Sequence, residues 1–111
     1  MIDQVRPSGL AAWLQAQPRP PVVLDVREPE ELQLAHVTAD GFDLLVIPMN
    51  DIPARLSELD PARPVAVLCH RGSRSQRVAM YLASNGFDAV ANIAGGIDAW
   101  SVERDSSVPR Y

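Results

Sequence analysis

The sequence predicts an α/β fold in which a central, mainly parallel sheet is flanked by helices on both faces. Short apolar runs at 22–26, 65–68 and 90–93 have the unbroken hydrophobic pattern of strands that are buried on both sides. Segments in which apolar residues recur at helical spacing lie between these runs. Because strands that alternate with helices pair in parallel and are covered on both faces, the pattern indicates three layers.

The first half of the chain supplies two of the predicted strands. Ser8 is placed to cap a first helix, whose apolar face would be formed by Leu10, Trp13 and Leu14. The strand at 22–26 is followed by a short helix that begins at Pro29, with acidic residues favourable in its first turn. A further strand at 44–47 is stopped by Pro48.

The second half repeats the alternation. Asn50 is expected to cap a helix that carries Ile52, Leu56 and Leu59 along one side. The strand at 65–68 leads into a helix over 73–85, which Asn85 and Gly86 would end in a left-handed turn. The strand at 90–93 precedes a last helix, which begins after two glycines and contains Trp100.

Length and charge limit the function classes. With 111 residues, the chain suits one domain, predicted over residues 1–104, followed by a flexible tail over 105–111. A net charge of −4 argues against binding to nucleic acid, and no apolar run has the length of a membrane span. Without a recognisable signal peptide, we expect a cytoplasmic protein whose single cysteine, Cys69, stays a thiol and is a poor metal site.

Polar residues follow two of the predicted strands directly. Residues 25–27 end one strand, and residues 69–74 follow another. Parallel α/β sheets bind ligands beyond the carboxyl ends of their strands, so we expect a site there. Gly72 would let the loop curl, and amides of the loop and of the following helix would favour a Cys69 thiolate. Arg71 and Arg74 could then clamp an anionic substrate.

Three interpretations of this cysteine stay open at the level of residue chemistry. The simplest is a small buried hydrophobe. The other two are a nucleophile for phosphoryl transfer and a carrier of sulfur as a persulfide. Cysteine phosphatases have the spacing Cys-x5-Arg, whereas here that position is Ser75 and the arginine comes one residue earlier, at Arg74. The shorter loop favours a sulfur atom over a phosphate.

Four stretches, taken together, resemble the rhodanese homology domain of single-domain sulfurtransferases. The segment LDVREPEE at 24–31, with AHV at 35–37, is similar to the first signature of that family. The pair IP at 47–48 matches the following strand end, and CHRGSRS at 69–75 resembles the active-site loop. The segment NIAGGIDAW at 92–100 resembles the closing signature. The segment between His36 and Ile47 is about three residues longer than is usual in the family.

The resemblance implies a rhodanese-like fold and a thiosulfate sulfurtransferase activity that proceeds through a Cys69 persulfide. The donor would be bound by loop residues, namely His70, Arg71, Gly72, Ser73, Arg74 and Ser75. Asp25 and Arg27 would support the loop as an ion pair. The donor would be thiosulfate or a similar anion, and the acceptor a thiol, cyanide, or a thioredoxin-like or sulfur-relay protein. The resemblance implies no metal and no organic cofactor.

Two alternatives from other functional classes accompany this prediction. A cysteine phosphatase or arsenate reductase could use the same scaffold, and a rhodanese-type domain could also serve as a binding module without activity. Two expectations concern residues near the loop. His36 is expected to be a hydrogen-bonded structural histidine, and Glu28, Glu30 and Glu31 are expected to form an exposed acidic start of a helix.

Overall fold

A computed structural model describes residues 2–111, and its core is a five-stranded sheet in which every pairing is parallel. The strands are β1 (Ile2–Val5), β2 (Val22–Asp25), β3 (Asp43–Val46), β4 (Val65–Leu68) and β5 (Val90–Ile93). Their spatial order is β1-β5-β4-β2-β3. The predicted α/β class is therefore confirmed.

Among the described residues, four α-helices connect successive strands and a fifth follows β5. They are α1 (Leu10–Gln15), α2 (Pro29–Leu34), α3 (Ile52–Arg55), α4 (Ser73–Ser84) and α5 (Gly96–Glu103). Short 3-10 turns precede α1 at Pro7–Gly9 and flank α3 at Met49–Asp51 and Leu56–Glu58. Among the described residues no helix is both long and apolar enough to cross a membrane.

Two hydrophobic clusters cover the two faces of the sheet, because successive side chains of a strand point to opposite sides. Val23 of β2 and Leu68 of β4 join α1, α5 and the 35–42 segment in one cluster. Leu24 of β2 and Val67 of β4 join α3 and α4 in the other. These clusters give the three layers that the alternating pattern predicts.

Several details differ from the sequence-based expectations. Strand β1 was not predicted, since it lies at the sheet edge and its two central residues are exposed. Gly9, rather than Ser8, is the N-cap of α1, because a 3-10 turn over Pro7–Gly9 comes first. The helix expected after Asn50 is only one α-helical turn between two 3-10 segments.

The order of strands fixes where a site can form. From β2 the chain moves outward to β3 and then returns across β2 to β4, so the direction of connection reverses between β2 and β4. In open parallel sheets a crevice forms beyond the carboxyl ends of such a pair. The segments that leave this pair are residues 25–27 and the loop that begins at Cys69.

The predicted tail, residues 105–111, lies against the domain. Val108 is 5% exposed and belongs to the cluster that contains α1 and α5, and its carbonyl accepts a hydrogen bond from the Ser101 hydroxyl at 2.6 Å. Tyr111 packs against the same cluster. In the structure, packed chain therefore continues beyond residue 104, and the flexibility of this segment stays a prediction.

Candidate active site

The loop between β4 and α4 is shaped by close contact with the start of α5. Gly72, at φ +107°, has a backbone conformation that side chains rarely adopt, and it is the N-cap of α4. A Cβ atom on Gly96 would lie 2.4 Å from the carbonyl oxygen of His70 and 2.5 Å from that of Cys69. Only a residue without a side chain lets the two segments approach this closely.

Backbone hydrogen bonds then hold the loop in place. The amide of Ile97 donates to the Cys69 carbonyl at 2.9 Å, and the amide of Asp98 donates to the His70 carbonyl at 3.1 Å. These donors belong to the first turn of α5, whose amides have no partner within the helix. The active loop is therefore fixed by a helix that lies about 25 residues further along the chain.

Cys69 lies at the base of this loop and is 1% exposed. Its Sγ accepts a hydrogen bond from the Gly72 amide at 3.0 Å and lies 3.2 Å from the Ser75 hydroxyl. Val67 and Val78 belong to the hydrophobic cluster that contains this side chain. The thiol is therefore apolar on one side and polar on the other. Within residues 2–111, Gly72 is the only residue whose amide bonds this sulfur, whereas the sequence suggested several.

Arg74, at the start of α4, forms an ion pair with a carboxylate of α2. Its two terminal nitrogens each donate to one carboxylate oxygen of Glu31 in α2, both at 2.7 Å. This contact corrects the expectation that Glu31 is simply an exposed acidic residue. The hydrogen bonds from Arg74 lower the pKa of the Glu31 carboxyl from 4.5 to about 2, against the opposing effect of burial. The pair ties α2 to the first turn of α4.

Arg71 and Ser73 have different surroundings. Both side chains are exposed, and neither makes a side-chain hydrogen bond or ion pair within the described part of the chain. Ser73 is the first residue of α4. Of the two predicted anion-binding arginines, Arg71 therefore has all of its donors available, whereas Arg74 shares its charge with a carboxylate.

Asp25 and Arg27 form the supporting pair that the sequence suggested. The Arg27 Nε donates to Asp25 Oδ1 at 2.9 Å and its Nη2 to Oδ2 at 2.7 Å. The Nη1 group donates to the carbonyls of Glu31 at 3.3 Å and Ala35 at 2.9 Å. Both side chains are buried, at 1% and 0% exposure. This pair joins the end of β2 to α2 and to the segment after it.

Tyr111 covers His70 and Glu31 from the far end of the chain. Its ring stacks on the His70 ring with the centroids 4.0 Å apart, and its carbonyl oxygen lies 2.7 Å from His70 Nε2. The Tyr111 hydroxyl donates to Glu31 Oε1 at 2.9 Å and accepts from Arg27 Nη1 at 3.2 Å. Burial raises the pKa of this hydroxyl above 10. The Nε2 atom of His70 is therefore engaged by the tail.

The structure thus brings together the predicted loop residues and adds three that sequence reasoning did not assign to the site. Glu31 and Tyr111 bond to residues of the site across long sequence separations, and Asn92 bonds to Ser75 under the loop. The signature at 92–100 could have pointed to Asn92, whereas nothing local marks Tyr111. His36 is exposed and forms no side-chain hydrogen bond among the described residues, so its expected structural role is wrong.

The sequence model of the protein family described as the Rhodanese-like domain matches residues 8–103 of this chain. The chain belongs to the rhodanese-like family. A curated sulfurtransferase from Allochromatium vinosum is 33% identical over 101 residues, which cover 91% of this chain and 90% of that protein. The thiosulfate sulfurtransferase GlpE of Coxiella burnetii is 30% identical over 100 residues and is likewise covered over 90% of its length.

Rhodanese-like domains also occur within longer relatives. The Rhodanese-like/PpiC domain-containing protein 12 of Arabidopsis thaliana, a chloroplastic protein, is 42% identical over 93 residues, and this chain spans 30% of its length. A rhodanese-like domain protein from Staphylococcus aureus matches in structure with a TM-score of 0.77 at 26% identity, over 99% of both chains. The fold and the family are therefore those of the rhodanese-like sulfurtransferases.

Proposed function

We propose that this rhodanese-like domain transfers a sulfane sulfur from thiosulfate, or from another persulfide donor, to a thiophilic acceptor through a persulfide on Cys69. The observation that carries the proposal is the position of Sγ just after β4, 3.0 Å from the Gly72 amide and at the base of a loop that carries Arg71 and leads into α4, whose first turn carries Arg74. An amide donor and nearby cations favour negative charge on a sulfur atom.

In the first half-reaction the Cys69 sulfur attacks the outer sulfur of thiosulfate. A new S–S bond forms, the S–S bond of thiosulfate breaks, and its electron pair leaves with sulfite. The proton of the Cys69 thiol departs with sulfite as hydrogensulfite. The products are therefore a Cys69 persulfide anion and hydrogensulfite, which together carry the two negative charges of thiosulfate.

In the second half-reaction the acceptor attacks the outer sulfur of the persulfide. A thiol acceptor gains that sulfur as its own persulfide anion, and its proton returns to Cys69. Cyanide gains it as thiocyanate, with a proton from solvent restoring the thiol. Small thiols and thioredoxin-like or sulfur-relay proteins are the acceptors we propose, in a reducing cytoplasm that keeps Cys69 available.

The loop residues divide the binding of the donor among them. Among the described residues, no side chain or carbonyl binds the guanidinium of Arg71, while two of the five N–H groups of Arg74 bind Glu31 and three remain. Ser73 and Arg74 lie in the first turn of α4, where amides have no intrahelical acceptor. These groups suit the sulfonate oxygens of thiosulfate.

Mass spectrometry of the intact protein tests the proposal. After incubation with thiosulfate and removal of the excess, we expect the mass of one added sulfur atom, which a thiol reductant removes. Cys69→Ser should show no added sulfur and no formation of thiocyanate from cyanide. Failure of the unaltered protein to gain this sulfur from thiosulfate or an organic persulfide would contradict the proposal, and turnover of an aryl phosphate would favour the phosphatase alternative.

A further inference from the structure

The last residue of the chain lies against the side of the active loop that His70 occupies. The Tyr111 ring is parallel to the His70 ring to within 5°, with the centroids 4.0 Å apart. The Tyr111 hydroxyl donates to Glu31, the carboxylate that also binds Arg74 at the start of α4. One side chain therefore spans the distance from the second residue of the loop to the ion pair beside the end of the loop.

Two upstream contacts determine how this end of the chain approaches the loop. Val108 is 5% exposed and enters the hydrophobic cluster that contains α5. Arg110 donates through Nε and Nη2 to the two carboxylate oxygens of Asp98, at 2.9 and 3.2 Å. Asp98 belongs to the first turn of α5, and the amides of that turn bind the carbonyls of the active loop. Residues 108–111 and the loop are therefore attached to the same helix, which fixes their relative positions.

The polar groups of Tyr111 hold its ring in place from both ends. At one end its carbonyl oxygen lies 2.7 Å from His70 Nε2. At the other end its hydroxyl uses its single hydrogen on Glu31 and accepts a hydrogen bond from Arg27 Nη1 at 3.2 Å. With its one hydroxyl hydrogen committed, the side chain has no proton to donate to a substrate. Its effect on a reaction at the loop therefore comes from the space that the ring occupies.

The rest of the loop has no such cover. Arg71 and Ser73 are exposed, and neither makes a side-chain hydrogen bond or ion pair within residues 2–111. Cys69 itself is 1% exposed, so any reagent has to reach its sulfur past the residues at the rim of the loop. Such a reagent meets the stacked rings of Tyr111 and His70 on one side of its path and exposed residues elsewhere.

We propose that Tyr111 is a specificity-determining residue, which narrows the approach to Cys69 and disfavours bulky reagents relative to small ones. Discrimination of this kind comes from a steric clash with the disfavoured reagent, and it needs no new contact with the favoured one. The consequence for sulfur transfer rests on the proposed function. Cyanide and small, unbranched thiols are the acceptors that the narrowed approach admits, and thiols with a large group next to the sulfur are the ones it disfavours.

Alkylation of the full chain by two uncharged reagents tests the proposal. Iodoacetamide is small and its N-pyrenyl derivative is bulky, yet both carry the same reactive group. At one pH both react with the same population of thiolate, so the ratio of their rate constants is independent of how much of the thiol is ionised. In Tyr111→Ala we expect the ratio of the bulky to the small rate constant to rise about tenfold, the low end of steric discrimination in enzyme sites. An unchanged or lower ratio would overturn the proposal.

Two further variants show whether the ring itself is responsible. Tyr111→Phe keeps the ring and loses the hydroxyl, so the ratio should stay near that of the unaltered protein. Tyr81→Ala, the matched control, removes an exposed tyrosine about two turns beyond the start of α4 and should also leave the ratio unchanged. A rise in either variant equal to that in Tyr111→Ala would overturn the proposal.

Sulfur transfer gives a second readout of the same variant. If thiosulfate loads Cys69, Tyr111→Ala should raise kcat/KM for a bulky thiol acceptor relative to that for cyanide, and a fall in this ratio would contradict the assignment of Tyr111. Alkylation needs no sulfur donor, so a protein that thiosulfate fails to load would count against the proposed function while the alkylation ratio still decides the role of Tyr111.

Discussion

The ends of β2 and β4 lie side by side in the sheet, with Asp25 paired in register with Leu68, yet they are built in opposite ways. After β2, the charges of Asp25 and Arg27 neutralise each other out of reach of solvent. After β4, the loop presents an exposed Arg71 and a sulfur that, within residues 2–111, hydrogen-bonds only Gly72 and Ser75. At the end of β2, the side chains of Asp25 and Arg27 use their hydrogen-bonding groups on partners inside the protein. At the end of β4, Arg71 keeps its hydrogen-bond donors available for a ligand.

Because of this difference, we expect the end of β2 to stabilise the fold and the end of β4 to bind the sulfur donor. A fully paired buried charge has no capacity left for a ligand, but removing either partner leaves the other unpaired and buried. An exposed arginine costs little to remove and can bind an anion. Substitutions at the two strand ends should therefore affect different measurements, stability at β2 and donor binding at β4.

The largest expected effect is on stability, at the end of β2. Arg27→Met leaves Asp25 buried without its partner, and we expect the free energy of unfolding to fall by about 3–5 kcal/mol. Urea denaturation followed by circular dichroism measures this. The double variant Asp25→Leu/Arg27→Met should recover part of the loss, because it leaves no lone charge. A loss below about 1 kcal/mol in the single variant would mean that the pair does not support the fold.

The ion pair between Glu31 and Arg74, which ties α2 to α4, should give a smaller, pH-dependent effect on stability. The folded state holds Glu31 at a pKa of about 2, below its ordinary value of 4.5, so its contribution to stability is complete above pH 4.5 and is lost as the pH falls toward 2. Glu31→Gln should cost about 1–2 kcal/mol at pH 7, and the difference should disappear through that acidic window. Thermal or urea unfolding at several pH values measures it; a difference that persists at pH 2 would contradict the assignment.

The smallest expected effect is on the binding of the sulfur donor, and it should appear in enzyme kinetics but not in stability. Arg71→Ala should raise KM for thiosulfate roughly five- to tenfold with little change in kcat or in stability, because one exposed charge leaves the donor-binding loop. Arg19→Ala removes an equal charge from the exposed segment before β2, at the amino ends of the parallel strands and so away from the loop, and should change neither constant. If both variants raise KM equally, the effect comes from net charge and not from the loop.

The sequence predicted the parts of the molecule that depend on neighbouring residues. Strands β2, β4 and β5 are buried throughout, so their unbroken apolar pattern was sufficient. Strand β1 was missed because an edge strand with exposed central residues has no such pattern. The loop around Cys69 could be predicted from its glycine, its arginines and its position after a strand.

The remaining contacts of the site depend on tertiary structure. Arg74 meets Glu31 across 43 residues, and Tyr111 meets His70 across 41. Nothing in the composition of either segment indicates its partner, and the polar tail gave no sign that Val108 enters the core. The ion pair between Asp25 and Arg27 was predictable because both residues lie at the same strand end, two positions apart, whereas its support of the loop stays a prediction.

The contact of Gly96 with the carbonyls of Cys69 and His70 means that the chemistry of this thiol belongs to the assembled domain. A peptide with the sequence of the loop alone would lack the helix against which the loop packs. A chain that stops before α5 would keep its cysteine but lose the amides that bind the carbonyls of Cys69 and His70. Reactivity at Cys69 would then report, as a chemical signal, whether the last helix has docked.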